Sequence, residues 1–186
     1  MPSRRTYLAA CSGAATTALA GCIGDVVHAP SAHCHVKAIS VGWTHRGRRR
    51  RDELLWVVAN RPERHLDVAV AEEFAGVASD PSAVRVTDEL HRKLGRTFPN
   101  VRYVLGFCGS AFGERRDDRE TVCRNTDAAS RRDFNRVQAG DDARVTLFDD
   151  AFRVHGVDAR ETTDWTVEYD ERDFSELHAE DGIPLD

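Results

Sequence analysis

Histidine and cysteine side chains cluster near the start of the chain. His28, His33, Cys34 and His35 fall within one short segment, and imidazole and thiolate groups are good ligands for zinc and copper. His33 and His35 would share one face of an extended segment, because successive strand side chains alternate. The segment is the best candidate for a metal site, but the favoured interpretation is a polar tether that holds no cofactor, with Cys34 free or paired. A blue-copper site is not expected, because Met1 is the only methionine.

The chain carries no recognisable catalytic motif. Ser110 follows Gly109, but Gly113 stands one position too far along for the Gly-x-Ser-x-Gly elbow of serine hydrolases. The adjacent acids Asp149 and Asp150 would point to opposite faces of a strand, so they do not form an acid/base pair. The sequence therefore favours a non-enzymatic protein. A small extracellular hydrolase with carboxylates drawn from distant strands is the weaker alternative.

The N-terminus combines two export motifs. Arg4 and Arg5 precede a tyrosine and a weakly apolar stretch, 8–20, which is shorter than the roughly 20 residues that span a bilayer. The sequence Leu-Ala-Gly-Cys then ends at Cys22. In this order the two motifs resemble those of twin-arginine-exported lipoproteins, in which the cysteine receives a lipid and becomes the new N-terminus.

This resemblance implies a signal peptide at 1–21, a short lipidated tether at 22–34, and a location on the extracellular face of the cell membrane. The composition points to a particular setting: 24 of the 26 basic residues are arginine, and 19 of the 31 acids are aspartate. Such usage resembles that of haloarchaeal proteins. In near-molar salt the Debye length is about 3 Å, so surface charges act only at contact.

The remaining cysteines allow one disulfide outside the cell. If Cys11 leaves with the signal and Cys22 carries a lipid, Cys34, Cys108 and Cys123 remain. We favour Cys108–Cys123, because it would close a glycine-rich, charged loop at a gain of about 3 kcal/mol in chain entropy. Pairing of Cys34 with either of the other two is the alternative, since sequence alone does not fix connectivity.

Alternating apolar residues predict a mainly β domain at 35–172, followed by a mobile acidic tail at 173–186. Asp80 and Pro81 have the types expected at a helix start, and the spacing that follows predicts one inserted helix near 81–98. The best fit is a β-sandwich-like (immunoglobulin-like) domain, and the alternative is an α+β fold with an antiparallel sheet. Strands are expected at 35–44, 53–60, 66–70, 101–107, 134–138, 143–148, 152–157 and 163–169.

Two oppositely charged segments are the distinctive surfaces of the expected domain. An arginine run occupies 46–51, and residues 141–186 hold 15 acids against 4 arginines. The negative net charge of the whole chain, −5, argues against nucleic acid as a partner. The predicted function is therefore a lipid-anchored surface module that binds an envelope protein or a small ligand. A metal-binding envelope protein is the alternative.

Replacement of Cys22 tests the lipid anchor directly. We expect Cys22→Ser to release the protein to the medium or to leave it unprocessed, because the modified sulfur would be missing. Membrane fractionation with detection of the cleaved form is the measurement. Processed, membrane-bound Cys22→Ser protein would show that the lipobox interpretation is wrong.

Overall fold

The computed structural model describes residues 29–112, 122–160 and 162–183. The signal peptide, Cys22 and His28 lie outside the described residues. The chain divides into two units, Met1–Pro30 and Ser31–Asp186, and the description below concerns the second. None of the helices in the described ranges is long and apolar enough to cross a membrane.

The described residues form a mainly β structure, as predicted. One mixed sheet has the order β5-β4-β1-β2-β3-β8, in which only the β3–β8 pair is parallel, and β6 pairs with the start of β1 and with β7. The strands are β1 (Ser31–His45), β2 (Arg48–Asn60), β3 (His65–Ala71), β4 (Asn100–Cys108), β5 (Cys123–Ala129), β6 (Asp142–Phe148), β7 (Ala151–Ala159) and β8 (Thr166–Arg172).

The β1–β2 hairpin turns more tightly than the expected strand bounds, 35–44 and 53–60, imply. Only Arg46 and Gly47 form the turn, with φ values of 47° and 75°, and a two-residue hairpin turn with two positive φ angles suits the twist of the flanking strands. The arginines at 48–51 therefore belong to β2 and not to a loop. Further along, Leu54 is an extra residue in the pairing with β1, since Ser40 pairs with Glu53 and Ile39 pairs with Leu55.

Within the described residues, three short α-helices accompany the sheet: α1 (Asp88–Thr97), α2 (Arg131–Arg136) and α3 (Phe174–Leu177). Each helix begins after a residue whose side chain accepts a hydrogen bond from a backbone N–H of the first turn. These residues are Thr87, Ser130 and Asp173 respectively. The predicted helix at 81–98 is therefore partly wrong. Asp80 caps only the 3₁₀ turn Pro81–Ala83, the next four residues are not helical, and the α-helix starts at Asp88.

The segment 109–137 also differs from the sequence-based expectation. The strand predicted at 134–138 is wrong, because the Ser130 hydroxyl accepts from the Asp133 amide and starts helix α2 there. Strand β5 lies where no strand is expected, and it pairs with β4 so that Cys123 lies opposite Cys108. These two cysteines form a disulfide, which confirms the favoured pairing.

The C-terminal segment packs into the core, in contrast to the mobile tail expected. Phe174 is 1% exposed, and its ring makes edge contacts with Trp43 at 5.7 Å and Phe98 at 5.9 Å. The Trp43 indole N–H donates to Asp181 Oδ2 at 2.8 Å. Phe174 buries apolar surface and so stabilises the docked segment, which a purely acidic tail would have no side chain to do.

Truncation of Phe174 measures how strongly this segment is docked. We expect Phe174→Ala to lower the free energy of unfolding by about 3 kcal/mol, because it empties a buried aromatic site. Leu177→Ala is the matched control on the same helix, since Leu177 is 61% exposed, and we expect a change within about 0.5 kcal/mol. Denaturant unfolding of both variants checks this, and equal effects would contradict the docking.

Candidate functional site

The sheet has one covered face and one open face. Helix α1 packs on β4, and α2 packs on β4 and β7. On the other face an open cleft of about 990 Å³ runs across β5, β4, β1, β2, β3 and β8. Because strands from across the whole sheet line it, this cleft is the best candidate for ligand binding.

Small side chains form the floor of the cleft around one tryptophan. Trp56 pairs with Ala38 on β1 and with Ala69 on β3, and Val104 lies further across the floor. The alanines leave the indole 41% exposed. The extra residue Leu54 shifts the alternation of β2, so that Glu53 lines the same cleft as Trp56 although it is three residues away. The result is a flat aromatic surface that a ligand can reach.

Charged side chains surround this floor, and most of the basic ones are held by the protein. Arg51 donates to Ser40 Oγ at 2.7 Å and to Asp127 Oδ2 at 3.2 Å. Arg172 donates to the Glu53 carbonyl at 2.9 Å. These bonds fix the orientation of two guanidinium groups, so the cleft presents donors and acceptors in defined positions.

Arg124 differs from the other two arginines of the cleft. It is exposed on the edge strand β5, and its guanidinium group makes no hydrogen bond or ion pair with the residues in the described ranges. Its neighbour Asn125 bonds through Oδ1 to His35 Nε2 at 2.9 Å, which leaves the Asn125 amide nitrogen for other partners. Arg124 and Asn125 therefore offer donors at one end of the cleft.

Of the four predicted metal ligands, the structure describes His33, Cys34 and His35, and it does not bring these three together as a ligand set. An extra residue at His35 interrupts the β1–β4 pairing, since Cys34 pairs with Phe107 and Val36 with Gly106. Cys34 is fully buried in the core, whereas His35 bonds to Asn125 next to Gly106, where any side chain would collide with that pair. His33 lies 3.7 Å from Asp142. Although His35 is close to Cys108 and Cys123, their sulfurs form the disulfide and provide no thiolate.

Burial changes the chemistry of two of these groups. It raises the pKa of the Cys34 thiol to about 12, and the Sγ atom donates to the Val36 carbonyl at 3.6 Å. The pKa of His35 is lowered by burial, partly offset by its bond to Asn125. A thiol that stays protonated is a poor nucleophile and a poor metal ligand, so Cys34 acts as a core residue.

A buried lysine beside Cys34 was missed by the sequence-based reasoning. Lys37 has no exposed surface, and its Nζ donates to the carbonyls of Val84 at 2.6 Å and Val137 at 2.8 Å and to Gln138 Oε1 at 2.8 Å. Burial lowers its pKa to about 7. The sequence did carry a signal for this buried group, because Lys37 is one of only two lysines in the chain and stands within an apolar strand. Lys37 joins the sheet to two loop segments and does not reach the cleft.

Comparison of the chain with protein-family models, with curated proteins and with solved structures gave no match. The geometry of the cleft and the export motifs are therefore the features that bear on function.

The reactivity of Cys34 tests its assignment to the core. In a chain with Cys11→Ser and Cys22→Ser, we expect a thiol reagent such as Ellman's reagent to react with Cys34 only after unfolding. Native labelling should be slower by on the order of a thousandfold or more, since access requires an opening that costs several kcal/mol. Addition of Cys34→Ser should remove the signal in denaturant. Rapid labelling of the native protein would contradict the buried position.

Proposed function

We propose that this protein is a non-enzymatic, lipid-anchored module of the cell surface that binds a small polyhydroxylated ligand, such as an envelope saccharide, in the open cleft. The observation that carries the proposal is the exposed indole of Trp56 between alanines, surrounded by oriented polar groups. The arginine pair and Cys22 near the N-terminus support export and anchoring. The ligand would then be met on the outer face of the membrane.

The balance of charges supports a neutral ligand. Three arginines line the cleft, and four carboxylates line it with them: Glu53, Asp127, Asp150 and Asp170. A strongly charged ligand would therefore meet groups of its own sign. A hydroxyl group both donates and accepts hydrogen bonds, so a polyhydroxylated molecule can use the arginines and the carboxylates together.

The aromatic floor supports a ligand with one apolar face. A sugar ring presents its C–H bonds on one side, and these can pack against the indole of Trp56 while the hydroxyl groups reach the polar side chains. Burial of apolar surface contributes roughly 25 cal/mol per Å². In the near-molar salt that the composition indicates, such contacts keep their strength while long-range attraction is screened.

Fluorescence of Trp56 provides a direct test. Trp56 is 41% exposed, whereas Trp43 and Trp165 are buried at 6% and 8%, so a water-soluble quencher reports mainly on Trp56. We expect a saturating neutral oligosaccharide from a panel to protect Trp56 from acrylamide at molar salt. Trp56→Ala should weaken binding about tenfold, which corresponds to about 1.4 kcal/mol of lost contact.

Phe148→Ala is the matched control for this test. Phe148 is an exposed aromatic residue at the β6–β7 turn and does not line the cleft, so its loss should leave the affinity unchanged. For the polar end, Arg124→Gln should weaken binding while Arg132→Gln, at an exposed position on α2, should not. No protection by any saccharide in the panel, or equal effects of the variants and their controls, would overturn the proposal.

A further inference from the structure

A second group of chemically active side chains lies on the parallel strand pair β3–β8. Asp67 pairs with Glu168, and His65 pairs with Thr166. Residues two apart on a strand share a face, so all four side chains project from the same face of the sheet. His65, Asp67 and Glu168 place one ligand atom each within 4.8 Å of one another.

The distances in this group are close to those of a coordination sphere. His65 Nε2 lies 2.9 Å from Asp67 Oδ1 and 3.7 Å from Glu168 Oε2. In a tetrahedral site with bonds of about 2.1 Å, two ligand atoms are about 3.4 Å apart. The two observed separations lie on either side of that value, so rotations of the two carboxylates would be enough to admit an ion.

Thr166 fixes which nitrogen of His65 faces the carboxylates. The Thr166 hydroxyl lies 2.9 Å from His65 Nδ1, and Asp67 Oδ1 lies 2.9 Å from His65 Nε2, so the ring is held with Nε2 toward the carboxylates. In the tautomer that carries its proton on Nδ1, the Thr166 oxygen accepts from Nδ1–H and the Nε2 lone pair is available to an ion. Orientation by a hydrogen bond at the other nitrogen is typical of metal-binding histidines.

We propose that His65, Asp67 and Glu168 bind a divalent first-row metal ion, best represented by Zn²⁺, with water completing the coordination. The two carboxylates carry a charge of −2, which the ion neutralises, whereas a protonated imidazole neutralises only half. Asp67 also lines a second cavity of about 770 Å³, which gives water access to the site. Nitrogen and oxygen donors in this ratio suit zinc better than calcium, which prefers six to eight oxygens.

Calorimetric titration of the full-length chain, made without a histidine tag and stripped with a chelator, tests the site. We expect His65→Gln and Glu168→Gln each to lose one equivalent of Zn²⁺ relative to the unsubstituted chain. His155→Gln is the matched control, because His155 also bonds to a threonine, Thr146, at 2.9 Å but has no paired carboxylates. It should keep the full stoichiometry. Circular dichroism confirms that each variant folds.

The role of Thr166 gives a second measurement. Thr166→Val should weaken Zn²⁺ binding by on the order of tenfold, the usual cost of losing a group that orients a ligand, and Thr166→Ser should restore it. With Co²⁺ in place of Zn²⁺, the ion bound at His65 should give no near-ultraviolet absorption from thiolate ligation. An ion bound at Cys11 or Cys22 would give that absorption, so the two kinds of site are distinguished.

Three results would overturn the assignment. The first is equal Zn²⁺ stoichiometry in the unsubstituted chain and His65→Gln. The second is loss of the equivalent in His155→Gln as well. The third is tighter binding of Ca²⁺ than of Zn²⁺. Because none of these measurements involves Trp56, the metal site and the saccharide cleft can fail independently.

Discussion

The buried ammonium group of Lys37 is the constraint on which the packing of the sheet depends. A charge without exposure is tolerated only when each donor finds an acceptor, and Lys37 uses two carbonyls and the Gln138 side chain while lying 4.3 Å from the Phe134 ring centre. These acceptors belong to segments that are neither strand nor helix. In a continuous helix from 81 to 98, the Val84 carbonyl would accept a hydrogen bond from within the helix. Here it accepts from Lys37 instead.

Coverage of one face by these segments leaves the opposite face free for ligands. Helix α2 carries Phe134 onto the covered face beside Tyr103, at a ring distance of 5.3 Å, and the docked Phe174 covers the end of the β1–β2 hairpin. The open face has alanines on β1 and β3 instead of large apolar residues, so it does not demand a second layer. Trp56 remains exposed there for that reason, and the cleft results from small residues as much as from curvature.

The sequence predicts most strands of this fold, and it fails where a local signal was overlooked or where contacts between distant segments decide the structure. Alternation located β1, β2, β6 and β7, and the glycine-rich charged loop indicated the Cys108–Cys123 bridge. Helix α2 was mistaken for a strand although Ser130 and Asp133 form a readable capping pair. The proposed cation site was invisible, because β3 and β8 are about 100 residues apart and only their parallel register brings Glu168 to His65.

The histidines show how position within a strand decides chemistry. Cys34 and His35 are adjacent, yet the β1 strand sends one into the core with a pKa near 12 and the other to Asn125. His65 instead has Asp67 two residues away on the same face and Glu168 on the neighbouring strand. If the protein works in near-molar salt, as its composition suggests, the Debye length is about 3 Å and an ion is attracted only by the groups that touch it. Direct coordination, and not the acidic character of the C-terminal half, must then select the cation.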